Sequence, residues 1–355
     1  MIDAKNLTMR IGTRELVVDA GFRVGKGMRV GLVGRNGAGK TTLMRLMAGE
    51  GVTSDVVEAV GALNRKGTVG YLPQDTQEGD LGQAARDRIL SVRGIAETIR
   101  RIRKAEREMA ESEGARQVKA MERYVRLDQE FTNAGGWAAN AEAAQTAAAL
   151  GLPERVLDQP LHTLSGGQRR RVELARVLFS RAETLLLDEP TNHLDHDSIL
   201  WLRDYLRSFA GGFVVVSHST ELLDQTVNAV WHLDANRAAL DVYNMPWAEY
   251  LKQREADEKR RRRERLNAER KAGALMGQAD KMRAKATKAA AAQSMERRAQ
   301  RLLAGLEEER KADKVANLRF PDPAPCGRTP LTAVGLSKSY GSLEVFSGLD
   351  LAVDR

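Results

Sequence analysis

The stretch GRNGAGKT, from Gly34 to Thr41, constrains this chain more than any other. It follows an apolar run at 28–33 and precedes an apolar-periodic stretch at 43–47, which is the strand, glycine-rich loop and helix order of a phosphate-binding loop. Glycines let backbone N–H groups converge on phosphate oxygens, and the helix N-terminus adds positive charge. We therefore predict a nucleotide site, with Lys40 on the β- and γ-phosphates and the Thr41 hydroxyl on Mg²⁺. The residues assigned to the nucleotide here are Gly34, Asn36, Gly37, Ala38, Gly39, Lys40, Thr41 and Thr42.

Length and composition place the chain among globular proteins. Its 355 residues, 42% apolar and 29% charged, suffice for two domains or for one domain with extensions. The single cysteine, Cys326, excludes an internal disulfide and suits a reducing compartment. Since no stretch approaches 18 uncharged apolar residues, we expect no membrane span and a cytoplasmic location.

Polar side chains follow three further apolar runs that are typical of strands. Gln74 comes after residues 69–73, Asp188 and Glu189 end the run TLLLDE, and His218 follows GFVVVS. The carboxyl ends of strands in open α/β sheets are where ligands bind. We expect Asp188 and Gln74 at Mg²⁺, Glu189 as the group that polarises the attacking water, and His218 as a donor to the γ-phosphate. The alternatives are a structural ion pair for the two acids and an ordinary turn for Gln74.

Residues 84–150 have the apolar spacing of charged helices, interrupted at Ser112–Gly114. This pattern predicts a helical hairpin, either a protruding arm or a subdomain packed on the sheet. The pentapeptide LSGGQ at 164–168 then opens another amphipathic helix. Ser165, Gly167 and Gln168 there form either a second anion cradle or an ordinary capped helix start.

Taken together, GRNGAGKT, Gln74, LSGGQ, LLLDEP, NHLD and Ser217-His218 resemble the ATPase domain of the ABC superfamily over residues 1 to about 245. More narrowly, DEPTNHLD, the run VYNMPWAEYLKQRE and the long charged segment after it resemble the ABC-F subfamily of soluble twin-ATPase proteins that act on ribosomes. The resemblance implies an α/β P-loop NTPase domain of ABC type with a helical subdomain, an α-helical linker, and an incomplete β start of a second ABC domain.

The same resemblance implies a role for each matching residue. Gln74 matches the Q-loop, Asp188 the Walker B aspartate, Glu189 the general base and His218 the switch histidine. Ser165, Gly167 and Gln168 would grip a nucleotide bound to a different domain. Two departures stand out: Ile11 occupies the position of the aromatic that usually stacks on adenine, and Ser219-Thr220 replace the usual Asp-Arg after the histidine.

The positive charge of the chain is concentrated in one segment. Between Leu251 and Lys314 there are 20 Lys plus Arg and 11 Asp plus Glu, a balance of +9, whereas the whole chain carries +8 and the remainder therefore −1. We predict helices at about 247–273 and 293–317 with a cationic tip between them. The tip residues are Lys281, Arg283, Lys285 and Lys288. They indicate contact with ribosomal RNA or tRNA backbone, and a solvated helical spacer is the alternative.

An internal repeat begins near the end of the sequence. After a proline-rich break at 320–325, residues 333–342 align with residues 4–13 at an offset of 329. We expect a first ABC domain at 1–246 with a helical subdomain at about 84–160, a linker at 247–319, and the start of a second ABC domain at 320–355. In the ABC arrangement each ATP lies between one domain's phosphate loop and the other's LSGGQ. We therefore expect this chain to be a truncated form or to pair with another chain, and to bind ATP with little hydrolysis as a monomer.

Four functions fit these observations: a ribosome-bound ATPase in translation or antibiotic resistance, the ATPase subunit of a membrane transporter, a DNA-associated ABC ATPase, and a remnant that folds but cannot cycle. The cationic linker and the repeat favour the first.

Overall fold

The computed structural model describes residues 1–50, 57–74, 80–283, 289–304, 329–341 and 343–354, and the chain divides into two compact units, residues 1–308 and 309–355. The strands of the first unit are β1 (Ile2–Ile11), β2 (Arg14–Val24), β3 (Arg29–Gly34), β4 (Val57–Arg65), β5 (Val69–Leu72), β6 (Thr184–Asp188), β7 (Gly212–Val216), β8 (Ala229–Asp234) and β9 (Ala239–Tyr243). Its helices are α1 (Lys40–Ala48), α2 (Ala85–Ser91), α3 (Ile95–Glu111), α4 (Ala115–Asn133), α5 (Ala138–Ala149), α6 (Glu154–Leu157), α7 (Gly166–Phe179), α8 (His196–Ser208), α9 (Thr220–Thr226), α10 (Trp247–Arg283) and α11 (Ala289–Ala304). The second unit contains β10 (Leu331–Tyr340) and β11 (Leu343–Val353).

Six strands form the central sheet in the order β5-β6-β7-β3-β8-β9. The first five run parallel, and β9 pairs antiparallel with β8. Because the carboxyl ends of parallel strands meet at one edge, the segments after β3, β5, β6 and β7 come together there. The predicted α/β class is confirmed, and the topology brings the predicted site residues to a single edge.

The central sheet is buried on both faces, which explains the unbroken leucines of β6. Leu185 and Leu187 belong to one apolar cluster, with the helices α2 and α5–α8, whereas Leu186 belongs to the other. The second cluster contains α1 and a three-stranded antiparallel sheet of order β2-β1-β4. Helix α1 is thus held by its buried face, with its N-terminus at the site edge.

The predicted helical hairpin is present as α3 and α4, separated by residues 112–114. Its base packs on the core through Ile95 and Phe131. Farther out on α4, Val118, Met121 and Val125 are each more than half exposed, although their spacing is typical of a buried face. The base of the hairpin is therefore packed on the core. In its outer part, the apolar row on α4 is exposed to solvent, and no other described residue buries it.

The linker helices differ from the prediction in their bounds. Helix α10 continues through Gly273 and Gly277 to Arg283, ten residues beyond the expected end, and α11 begins at Ala289. Small residues explain the close pairing of the two helices, since Ala272, Ala279 and Ala299 are buried. In the part of the chain that the structure describes, no helix is long and apolar enough to cross a membrane.

The β10–β11 hairpin repeats the β1–β2 hairpin residue for residue. Ile2 pairs with Val24 and Leu331 with Val353, and every further pair of the two hairpins is related by the same offset of 329. The register shifts also fall at equivalent places. The repeat seen in the sequence is therefore a repeat of strand pairing, including its irregularities.

Candidate nucleotide and metal site

The phosphate loop joins β3 to α1, and its glycines are required by geometry. A side chain at Gly34 would place its Cβ 2.6 Å from the Leu233 carbonyl oxygen, and Gly39 has φ +99° with Leu16 Cδ1 2.9 Å from where a Cβ would lie. Lys40 folds over the loop, where its Nζ donates to the carbonyl oxygens of Gly34 at 2.9 Å and Arg35 at 3.1 Å. The loop is thus a compact cradle with its own cation inside it.

A cavity of about 340 Å³ opens at this edge of the sheet. Its lining joins the phosphate loop to the residues that follow three other strands: Asn36, Gly37, Lys40, Gln74, Asp188, Glu189, Val216 and His218. Residues that are 150 or more positions apart in sequence therefore share one small space, which is large enough for a triphosphate group.

Asp188 is the last residue of β6 and is only 1% exposed. Burial raises the pKa of Asp188, and a hydrogen bond from Thr41, together with the charges of Arg170 and Lys40, opposes that shift. Among the described residues, no hydrogen-bond partner reaches its Oδ2 atom. A buried carboxylate oxygen without a partner is costly unless a ligand completes it.

The oxygen atoms around Asp188 fit Mg²⁺. The Thr41 hydroxyl contacts Asp188 and also lies 3.4 Å from Oε1 of Gln74. A hydroxyl, a carboxylate and an amide oxygen are hard donors of the kind that Mg²⁺ prefers, with phosphate and water oxygens completing its octahedron. The unpartnered Oδ2 is the observation that favours a cation at this point.

Glu189 is held in an unusual conformation beside the metal donors. Its φ is +50°, in the left-handed region that non-glycine residues rarely adopt. Its Oε2 accepts from the His218 backbone N–H at 3.2 Å, and its Oε1 lies 3.4 Å from Nε2 of that histidine. Burial raises the pKa of Glu189, and His218 opposes the rise. A raised pKa brings a carboxylate closer to the range in which it accepts a proton from water.

The LSGGQ residues occupy a different place. Ser165 is the N-cap of α7, and a reciprocal capping box joins it to Gln168: the Gln168 N–H donates to Ser165 Oγ, and the Ser165 N–H donates to Gln168 Oε1. Gly167 sits where an added Cβ would lie 3.4 Å from His193 Cβ. None of these three described residues lines the 340 Å³ cavity. Within one chain, the LSGGQ segment, called the signature below, and the phosphate loop therefore do not line the same cavity.

The remaining predicted residues lie outside the cavity. Ile11 ends β1 and packs partly buried against the second apolar cluster, and Thr42 is half-buried in the first turn of α1. Lys281 and Arg283 belong to the last turn of α10, whereas Lys285 and Lys288 lie outside the described residues.

One residue at the site escaped the sequence analysis. Arg170, on α7, is buried behind the two acids and donates to the carbonyl oxygens of Pro73, Asp188 and Glu189. The available signal was its position: Arg170 lies four residues before the buried Leu174, on the same face of the helix.

Comparisons with known proteins agree with this geometry. A family model described as "ABC transporter" matches residues 17–192, and a second model with the same description matches residues 233–320. The tylosin resistance ATP-binding protein TlrC of Streptomyces fradiae is 34% identical over 264 residues, which are 73% of this chain and 46% of that protein. The energy-dependent translational throttle protein EttA of Mycobacterium tuberculosis is 32% identical over 252 residues, 68% of this chain and 42% of that protein.

A solved structure titled "Structure of ATP binding subunit of ABC transporter" aligns with a TM-score of 0.47 at 18% identity, over 69% of this chain and 90% of that one. The chain spans less than half the length of the curated relatives it matches. Two family models across most of the chain, and relatives above 30% identity, establish the assignment. This protein belongs to the ABC family of ATPases, in its ABC-F branch.

Proposed function

We propose that the chain is one ATP-binding half of a twin-domain ABC-F ATPase that acts on the ribosome in the cytoplasm. The convergence of the phosphate loop with Gln74, Asp188, Glu189 and His218 on one cavity carries the ATPase part of the proposal. Each of these residue types suits a step of phosphoryl transfer to water, and none of them is explained by packing alone.

In this proposal the chain's own residues divide the chemistry between them. Lys40 exchanges the carbonyl oxygens of its loop for β- and γ-phosphate oxygens, and the helix α1 N-terminus adds its dipole. Thr41, Asp188 and Gln74 would hold Mg²⁺, which neutralises charge on the phosphates when bound. Glu189 would accept the proton of the attacking water, and the His218 side chain, which is 75% exposed and lines the cavity, would donate to the γ-phosphate.

A second ABC domain completes the site in the same proposal. Ser165 and Gly167 begin helix α7 away from the cavity, where they would contact the γ-phosphate of a nucleotide held by the phosphate loop of another domain. The β10–β11 hairpin supports this arrangement because its pairing repeats that of β1–β2, with which the first ATPase domain begins.

The ribosome is proposed as the partner on two grounds. The names of the relatives refer to tylosin resistance and to a translational throttle. The basic linker supplies the second ground, because a charge balance of +9 between Leu251 and Lys314 suits a polyanion such as rRNA or tRNA.

Sedimentation with ribosomes tests the proposal. The variant Glu189→Gln should co-sediment with ribosomes in ATP more than wild type does, because it binds the nucleotide but cannot take up the proton of water. The matched control is Glu183→Gln, an exposed glutamate just before β6, at the opposite end of that strand, which should behave as wild type. If neither wild type nor Glu189→Gln sediments with ribosomes in any nucleotide at low ionic strength, the proposal is wrong.

Salt dependence tests the role of the linker. Four phosphate contacts predict that the logarithm of the affinity falls with the logarithm of salt concentration at a slope of about −3. Changing Lys281, Arg283, Lys285 and Lys288 to glutamate should flatten that slope. Binding that does not respond to salt, or that survives the charge reversal unchanged, would exclude the linker as the RNA contact.

A further inference from the structure

Arg170 lies at the junction of three segments of the candidate site. It is 6% exposed and belongs to α7, five residues after Ser165, about 7 Å along the helix axis. Its Nη1 donates to the Pro73 carbonyl oxygen, and its Nη2 donates to the carbonyl oxygens of Asp188 and, at 3.4 Å, Glu189. One side chain thus contacts the segment that leads to Gln74 and the segment that carries both acids.

Arg170 joins β5 and β6 just beyond the point where their backbone hydrogen bonding ends. The parallel pairing of β5 with β6 ends at Leu72 and Leu187, so Pro73 and Asp188 are the first residues beyond it. Proline has no N–H to donate, and the ladder cannot continue through it. The guanidinium bridges the two carbonyl oxygens just past that end, and a planar group with five donors suits this better than an ammonium does.

The same side chain holds Glu189 in its strained conformation. A non-glycine residue at φ +50° costs about 1–3 kcal/mol and persists only where its surroundings fix it. On one side the Glu189 N–H donates to the Val216 carbonyl oxygen at 2.9 Å. On the other side its own carbonyl oxygen accepts from Arg170. These two restraints act on the Glu189 backbone, and the His218 N–H, which donates to Oε2, holds the carboxylate itself.

We propose that Arg170 is a positioning residue that holds the metal donors Gln74 and Asp188 and the general base Glu189 in register, and that ties all three to the signature helix α7. This inference rests on the proposed ATPase function. Because Arg170 and Ser165 share one helix, a contact made by the signature with another domain's nucleotide is mechanically connected to this domain's own metal site.

The test is the Mg²⁺ dependence of ATP binding by the purified chain, measured with a fluorescent ATP analogue in Mg²⁺ and in EDTA. Arg170→Met should weaken binding in Mg²⁺ about tenfold, the usual effect of removing a group that orients metal ligands. Its affinity in EDTA should stay within about twofold of wild type, because Lys40 and the loop are intact. Arg170→Lys keeps the positive charge but lacks the planar guanidinium. Its affinity in Mg²⁺ should therefore lie between those of wild type and Arg170→Met.

The matched control is Arg176→Lys, the same change on the same helix, where the partner is Glu173 at 2.7 Å. It should change neither affinity. Equal losses in Mg²⁺ and EDTA would show a merely structural role and overturn the inference, as would wild-type affinity in both media. If Arg170→Met does not fold, Arg170→Lys decides by the same two criteria. Absence of ATP binding by the wild-type chain would instead overturn the proposed function, and this inference with it.

Discussion

Replacing Arg93 with methionine should destabilise the first unit more than any exposed arginine change does. Arg93 lies between α2 and α3, and its side chain is 9% exposed. Its guanidinium donates to both carboxylate oxygens of Glu142, at 2.9 and 2.6 Å, and to the Phe179 carbonyl oxygen at 2.7 Å, and it lies 3.5 Å from the centroid of the Phe179 ring. One side chain therefore joins the α2–α3 turn to α5 and α7.

The magnitude follows from these contacts. The charged hydrogen bond to the carbonyl contributes roughly 2 kcal/mol, and stacking on the ring contributes about 1 kcal/mol. The ion pair contributes about 1 kcal/mol, since the Glu142 side chain is 37% exposed and screened by water. Methionine keeps the apolar packing of the stem, so we expect a loss of roughly 4 kcal/mol in the free energy of unfolding.

Thermal unfolding followed by circular dichroism measures this loss. Because the first unit spans 308 residues, we expect the melting temperature to fall by roughly 6 °C. The control Arg100→Met removes an exposed pair with Glu97 on α3 and should cost under about 0.5 kcal/mol. The reasoning is refuted if Arg93→Met and Arg100→Met have the same melting temperature.

The pH dependence of the stability of wild type and Arg93→Met provides a second test of the role of Arg93. Arg93, assisted by Arg181 and opposed by burial, holds the pKa of Glu142 below its ordinary value of 4.5. A carboxylate with a lowered folded-state pKa stabilises the fold above its unfolded pKa, and that contribution is lost as pH falls through the folded pKa. The difference in the free energy of unfolding between wild type and Arg93→Met should therefore be constant above about pH 6 and become smaller below about pH 4.5. A gap that widens in acid would contradict this account.

Three further predictions concern the loop, the linker and the composite site. Gly34→Ala places a Cβ 2.6 Å from the backbone oxygen of Leu233, so β3 and β8 must separate. The affinity for ATP, measured by calorimetry, should fall by at least about tenfold. An unchanged affinity would contradict the close approach of Gly34 to Leu233. Gly273→Ala meets no atom within 4 Å inside α10 and should stabilise the chain to chemical denaturation by about 0.5–1 kcal/mol, and a loss of stability would be the wrong sign. ATP turnover per chain should rise with chain concentration, because in the proposed arrangement the phosphate loop of one chain and the signature of another form one site. Robust turnover independent of concentration would refute that reasoning.

The parts of the fold that the sequence predicts well are those with a strong local cause. The four consecutive apolar or β-branched residues that begin β6, 184–187, predict burial on both faces, and the structure divides Leu185, Leu186 and Leu187 between two clusters accordingly. The glycines around Lys40 similarly admit few conformations. Because parallel strands bring their carboxyl ends together, the sequence alone predicts Gln74, Asp188 and His218 at one edge of the sheet.

The parts that the sequence does not predict depend on distant neighbours. Helical periodicity places Arg170 on the same face of α7 as Leu174, but it cannot show that the guanidinium lies against the carbonyl oxygens of Pro73 and Asp188. Glycine is a poor helix former, yet α10 passes through Gly273 because α11 packs alongside that helix. Val118 lies in an apolar row that looks like a core face and is exposed, because only the base of its hairpin reaches the core.

The position of Lys40 changes how selectivity at the loop is understood. Its side chain is half-buried and its ammonium group already has two oxygen acceptors, so part of the dehydration of this cation occurs during folding and not during ligand capture. An incoming anion must compete with those carbonyl oxygens for the same protons. Weak acceptors such as halide ions are therefore poor competitors, and a polyphosphate chain, which offers many strong acceptors along its length, can displace them.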